Sequence, residues 1–312
     1  MTRAIVFPGQ GSQAIGMGKE LYETFPIAKE VFQTVDDVLR QKLSRLMFEG
    51  PIEDLTLTAN TQPALMAVSL AVMRVLEKEG GIDPTYFSLA AGHSLGEYSA
   101  LAATKAITLE EATKLLRIRG NAMQSAVPQG KGAMVAVIGA DLETLGKIIK
   151  DASSYGLCVM ANDNSPGQVV LSGEKVAIEK VPEIAQNYGI RKCVILPVSA
   201  PFHCPLMAPA ADAMKEALAP VDFKDPLIPI IPNVTAEIEK QGEVFKDLLV
   251  QQVTGQVRWR ETMTTMVQEG ITHVYEIGVG KVLSGLFKRG AENIIATSIH
   301  TPHDVEEFLK TK

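Results

Sequence analysis

The chain carries two hydrophobic rhythms. Short apolar blocks that stop at glycine or proline recur at 4–7, 86–91 and 272–277. Each is followed by apolar residues at helical spacing, the strand-loop-helix order of an open α/β sheet. The first, Ala4-Ile5-Val6-Phe7, runs into Pro8-Gly9-Gln10-Gly11-Ser12-Gln13 and predicts a helix from about residue 15. Helical spacing continues over 26–46 and 62–79, interrupted at Glu49-Gly50-Pro51, and again over 97–106. Asn60-Thr61-Gln62-Pro63 is expected to cap the second of these helices. Thr108-Leu109-Glu110-Glu111 is a capping box that opens a helix to about 126, and further helices are predicted over 244–252 and 283–288.

Between Pro128-Gln129-Gly130-Lys131-Gly132 and Pro197 the texture changes. Strands are predicted over 134–138, 157–161, 168–171 and 192–196, and helices over 142–153 and 176–188, with a hairpin at Asn164-Ser165-Pro166-Gly167. That order is βαββαβ, a ferredoxin-like unit. The expected organisation is a discontinuous large α/β domain, 1–130 and 198–312, with a small domain, 131–197, inserted in it. A cleft between them is the expected place for a ligand.

Composition narrows the function classes. With 312 residues, 46% hydrophobic and 21% charged, the chain has the make-up of an ordinary globular enzyme. A net charge of -6 argues against a nucleic-acid partner. No apolar run approaches a membrane span or makes a secretory signal, so a cytoplasmic protein is expected. Cys158, Cys193 and Cys204 are odd in number with no C-x-x-C, which predicts reduced thiols and no metal site. Neither G-x-G-x-x-G nor a P-loop pattern occurs, so no dinucleotide or P-loop phosphate site is predicted.

The candidate chemistry starts at Gly92-His93-Ser94-Leu95-Gly96, a G-x-S-x-G turn between strand and helix. Flanking glycines permit a strained turn that projects the hydroxyl, making Ser94 a candidate nucleophile; an incidental serine in a glycine-rich turn is the bland alternative. The Leu95 amide, at the start of the helix, faces where an oxyanion would form, and the loop after the first strand offers a second amide near Gln10. His203, in Pro197-Val198-Ser199-Ala200-Pro201-Phe202-His203-Cys204-Pro205, is the candidate base because the prolines restrict its direction, against the commoner case of a structural histidine. His93 lies inside the serine turn and is expected to point elsewhere, while His273, His300 and His303 lie in a strand-like block and the C-terminal segment.

On the helix over 108–126, Ala112, Leu115, Leu116 and Met123 form an apolar stripe, and Arg119 falls on it. A guanidinium there calls for a substrate carboxylate or an internal Asp or Glu, or else snorkels to water, and the pattern alone leaves these open. Arg117 lies off the stripe and is expected to be solvated. Asn233-Val234-Thr235 is a formal glycosylation sequon without meaning in a cytoplasmic protein, and Trp259, the only tryptophan, is expected to anchor the core.

Taken together, Phe7-Pro8-Gly9-Gln10-Gly11-Ser12-Gln13, Gly92-His93-Ser94-Leu95-Gly96-Glu97-Tyr98, Arg119-Gly120, Asn164-Ser165-Pro166-Gly167-Gln168, Phe202-His203 and Gln252 before Val257-Arg258-Trp259 resemble one family over essentially the whole chain. It is the malonyl-CoA:acyl carrier protein transacylase family of fatty acid and polyketide synthesis. The resemblance implies a hydrolase-like α/β large domain with a parallel sheet beside the ferredoxin-like small one. It implies that Ser94 attacks the thioester of malonyl-CoA and that His203 takes its proton and later activates the phosphopantetheine thiol of acyl carrier protein. It assigns the oxyanion hole to the amides of Gln10 and Leu95, and the free malonyl carboxylate to Arg119. A backbone carbonyl near Gln252, in place of a carboxylate, orients the histidine, which makes a Ser-His dyad.

The substrate-binding set is Arg119, Gln252, Phe202 and His93, the bulk of Phe202 implying malonyl over methylmalonyl. A monomer without a permanently bound cofactor, nucleic acid or membrane is expected, with Lys281, Lys288 and Arg289 as a docking patch for an acidic carrier helix on charge alone. A free-standing acyltransferase of a polyketide synthase needs identical chemistry. A serine thioesterase or esterase shares nucleophile and base, but has no use for a cation on a buried stripe. A silent carrier-docking subunit does not need Ser94, His203, Gln10 and Arg119 all in place.

Overall fold

The computed structural model describes residues 2–198 and 200–312; Met1 and Ser199, the latter in the proline-bounded loop before His203, lie outside the described residues. Five strands, β1 (Arg3–Phe7), β2 (Leu89–Gly92), β7 (Ile230–Ile231), β8 (His273–Ile277) and β9 (Ile295–Ile299), form one sheet in the order β7-β2-β1-β8-β9, and its pairs are parallel. Alternation along β1 sends Ile5 and Phe7 into one core and Ala4 and Val6 into another. The sheet is thus covered on both faces, as a parallel sheet requires. Trp259, fully buried, anchors the second core beside Met263 and Phe287.

A second sheet has β3 (Gly132–Ile138), β4 (Cys158–Ser165), β5 (Gln168–Glu174) and β6 (Lys192–Ile195) in the antiparallel order β4-β5-β3-β6, the ferredoxin-like arrangement. Its own core packs Val135, Val137 and Leu171 against Leu145, Ile148 and Ile184 of the covering helices. The opposite face, with Met134 and Val170, turns toward the large core. The fold class is therefore the one expected: α/β with a parallel sheet, and a smaller antiparallel ferredoxin-like unit. Among the described residues no helix is long and apolar enough to cross a membrane.

Several helices depart from their expected bounds for local reasons. The helix expected from residue 15 is delayed to Lys19–Thr24, because Gly16 and Gly18 adopt left-handed φ of 90° and 78°. The span 26–46 divides into Pro26–Leu39 and Leu43–Glu49 at Arg40, itself left-handed at φ 50°. The Asp36 carboxylate takes the Ser44 backbone N–H and hydroxyl at 2.8 and 2.7 Å and so fixes the start of the second piece. Likewise 176–188 divides into Lys175–Ile178 and Val181–Asn187, with Pro182 in the opening turn of the latter, where a missing N–H does no harm.

Candidate active site

Parallel pairing of β1 with β2, in which Phe7 faces Gly92, brings the two strand ends side by side. Ligands collect at the carboxyl ends of such strands. Past β2 the chain turns through His93, Ser94 and Leu95 into the helix Gly96–Ala103. Ser94 sits at φ 55°, a left-handed strain that a serine tolerates only when its surroundings impose it. The glycines are what permit it: a Cβ on Gly92 would lie 1.9 Å from the Gly96 backbone, and one on Gly96 would lie 2.2 Å from the Phe7 carbonyl oxygen. The turn is tied down by the His93 N–H, donated to the Phe7 carbonyl at 2.9 Å, and the Ser94 N–H, donated to Asn233 Oδ1 at 2.7 Å.

The Ser94 Oγ lies 2.8 Å from Nε2 of His203, whose Nδ1 lies 2.9 Å from the backbone carbonyl of Gln252. A carbonyl only accepts, so Nδ1 carries the proton and Nε2 presents its lone pair to the serine hydroxyl. Burial, helped by the nearby positive charge of Arg119, pushes the His203 pKa down to about 3. The ring is thus neutral at ordinary pH, the form that can take a proton. The Gln10 loop and Leu95 line the same cavity as Ser94, and no acceptor among the described residues takes either backbone N–H.

Arg119 is 1% exposed, on the helix Leu109–Ser125 whose capping box forms as expected. Its Nη1 donates to Gln62 Oε1 at 2.8 Å; its Nη2 donates to Gln252 Oε1 at 2.8 Å and to Ser94 Oγ at 3.2 Å. All three acceptors are neutral. The internal acid allowed by the sequence pattern is not among its hydrogen-bond partners, and the side chain does not snorkel to water. The cation points into a cavity of about 400 Å³, between the serine turn and the second sheet, whose walls include Met134, Val170 and Phe202.

The structure thus brings together Ser94, His203, Arg119, Gln252, Leu95 and Gln10, with Phe202, 8% exposed, in the wall. His93 also lines the cavity, but its Nε2 is engaged with Asn164 Oδ1 at 2.8 Å and its ring packs 5.4 Å from Trp259. Lys281, Lys288 and Arg289 are exposed at the helix Val282–Gly290, whose Leu283 and Leu286 reach the cavity. Arg117 is not solvated as expected: it is half-buried and donates to Asn60 Oδ1 and Gln41 Oε1 at 3.0 and 2.7 Å.

Four contributors escape the sequence pattern. Gln62, expected before a helix, lies inside Thr58–Gly80 and holds Arg119. Asn233, which reads as an idle sequon, follows β7 and braces Ser94. Glu97 and Asn164 resemble a solvated helix acid and a turn residue. The one available signal was the position of Asn233 two residues past an apolar pair, the place where a parallel strand delivers a side chain to the site.

Residues 4–301 match the acyl transferase domain family. The malonyl CoA-acyl carrier protein transacylase of Bacillus subtilis (strain 168) is 45% identical over 309 residues, 99% of this chain and 96% of that protein. The protein of the same name from Escherichia coli (strain K12) is 41% identical over 98% of both chains. Among solved structures, the acyl-carrier-protein-S-malonyltransferase of Bartonella henselae superposes with a TM-score of 0.97 at 51% identity, covering 100% of this chain and 99% of that one. PlMCAT, a malonyl-transacylase solved in complex with the type II PKS acyl-carrier protein AntF, superposes with a TM-score of 0.96 at 40% identity, covering all of both chains. With matches of this extent laid over a Ser-His pair and a buried arginine, the chain belongs to the malonyl CoA-acyl carrier protein transacylase family of acyl transferases.

Proposed function

We propose that the protein moves a malonyl group from malonyl-CoA to the phosphopantetheine thiol of an acyl carrier protein through a malonyl ester on Ser94. The Ser94 oxygen adds to the thioester carbon as its proton passes to Nε2 of His203, and the C–S bond breaks as that proton is given to the departing coenzyme A sulfur. The carrier thiol then repeats the sequence in reverse. The backbone N–H groups of Leu95 and Gln10 hold the oxyanion in both halves. His203 needs no carboxylate, since the Gln252 carbonyl fixes its tautomer.

One observation carries the substrate: a buried guanidinium with only neutral hydrogen-bond partners, 3.2 Å from the nucleophile. A malonyl group on Ser94 carries its free carboxylate within reach of that cation, and a charged, bidentate pair in a desolvated site is strong. Phe202 in the cavity wall supports malonyl over a branched methylmalonyl group.

Intact-protein mass spectrometry after brief mixing with malonyl-CoA tests this. A malonyl adduct that vanishes in Ser94→Ala and passes to a phosphopantetheinylated carrier is expected. An adduct lost to water with the carrier unloaded would instead make the protein a thioesterase. We place the reaction in fatty acid synthesis. The likeness to PlMCAT favours a second reading, service to a polyketide carrier, which offering both carriers in the same assay distinguishes by transfer rate.

A further inference from the structure

Glu97 is the residue after the closing glycine of the serine turn, in the first turn of the helix Gly96–Ala103, and its side chain is fully buried. Its Oε2 accepts the Asn233 backbone N–H at 2.8 Å and the Gln252 Nε2 at 3.0 Å, while Oε1 has no partner. A buried carboxyl normally needs full hydrogen bonding. Here both bonds go to residues that touch the reacting groups. Gln252 gives its Oε1 to Arg119, and Asn233 gives its Oδ1 to the Ser94 N–H.

We propose that Glu97 is a positioning residue for acyl selection: it fixes the Gln252 amide with nitrogen toward itself and oxygen toward Arg119, and so aims the guanidinium at the carboxylate of the incoming acyl group. Without this acceptor the amide loses one of the bonds that keep its N–H turned away from a cation that can only donate. The Gln252 Nε2 also donates to the Ser94 carbonyl at 3.0 Å, so one amide ties the cation, the carboxyl and the turn together. Burial raises the Glu97 pKa to about 7. Near neutral pH the group is therefore only about half ionised, and either form keeps the Oε2 acceptor for both donors.

The inference rests on Arg119 holding the malonyl carboxylate, so both are tested in one assay. Single-turnover loading of the full chain from malonyl-CoA and from acetyl-CoA is measured for native protein, Glu97→Gln, Glu97→Asp, Glu97→Ala and Arg119→Ala. Glutamine keeps a carbonyl oxygen for both donors, and is expected to hold the malonyl-to-acetyl ratio within about two-fold of native. Aspartate draws the acceptor back by one methylene, and like alanine is expected to lower the ratio about ten-fold or more, as small misplacements of a binding group do.

A merely structural glutamate would slow both acyl groups in proportion. Such proportionate losses in Glu97→Asp, or a fall in the ratio in Glu97→Gln equal to that in Glu97→Ala, overturn the proposal. If Glu97→Ala does not fold, the aspartate and glutamine variants decide alone. Equal losses of both acyl groups in Arg119→Ala would instead overturn the assignment of Arg119, and the proposal with it.

Discussion

The Nη2 of Arg119 lies 3.2 Å from the Oγ of Ser94 and 2.8 Å from the Gln252 side-chain oxygen, so the cation and the nucleophile share one side of the cavity. In the reaction proposed above the guanidinium would serve two moments. It would steady the serine oxygen before attack and meet the carboxylate that arrives with the acyl group. Arg119→Ala is expected to weaken malonyl loading relative to acetyl loading by about 2 to 4 kcal/mol, the usual scale for a desolvated charge pair losing one member. Competing the two acyl-CoAs and reading kcat/KM for each checks this; an unchanged ratio would remove Arg119 from acyl selection.

His203 is held neutral first by burial and then by the Arg119 charge. Its ring is expected to stay unprotonated in the folded protein well below the ordinary 6.5, toward about 3, and to titrate higher in Arg119→Ala. The sign for stability follows. Between those values the unfolded chain binds a proton the folded one refuses, so this group costs stability as pH falls below 6.5, about 1.4 kcal/mol per pH unit. Burial shifts His93 in the same direction, whereas Glu97, raised to about 7, works in the opposite sense between about 4.5 and 7. Ring NMR titration is the direct measurement; a native His203 titrating near 6.5 would contradict it.

Glycine is required at Gly96 and merely tolerated at Gly146. Gly96→Ala puts a Cβ 2.2 Å from the Phe7 carbonyl oxygen, forcing β1 and the serine turn apart. A loss of about 3 kcal/mol or more in urea unfolding is expected, with loss of acylation. Gly146, exposed within the helix Leu142–Ala152, has nothing near its absent Cβ, so Gly146→Ala is expected to stabilise by about 0.5 to 1 kcal/mol.

The sequence makes local chemistry visible and hides what distance assembles. Gly92 is legible because the constraint it answers, the Gly96 backbone, lies within five residues, whereas Gly96 makes room for the Phe7 carbonyl of β1 and is legible only as part of the same motif. Arg119 is legible because a charge breaks the period of its own helix. Gln62, Asn233 and Glu97 carry no such mark: their partners lie 57, 139 and 155 residues away, and alone each resembles a cap, a sequon or a solvated acid. The division of 26–46 was hidden for a similar reason, since it rests on a bond between Asp36 and Ser44 that helical periodicity does not encode.

We propose that the exposed cations Lys288 and Arg289, beside Leu283 and Leu286 of the cavity wall, receive the acidic carrier. Reversing both, Lys288→Glu with Arg289→Glu, is expected to lower kcat/KM for the carrier about ten-fold or more at low salt, and less at high salt, as for steered association. Self-acylation from malonyl-CoA should be unchanged. A carrier kcat/KM independent of both charge and salt would move the docking surface elsewhere.

The hydrogen bonds that tie Ser94 to Arg119, His203, Asn233 and Gln252 span 25 to 158 residues of chain. Contacts of such sequence separation form late, after the loops they close have lost their freedom. Up to that moment the serine is an ordinary alcohol, with no base beside it and no strain in its backbone. Reactivity toward thioesters therefore switches on with the completed tertiary structure. A nascent or partly unfolded chain is expected to be inert toward the coenzyme A pool, and the rate of acylation by malonyl-CoA to serve as a sensitive gauge of native protein.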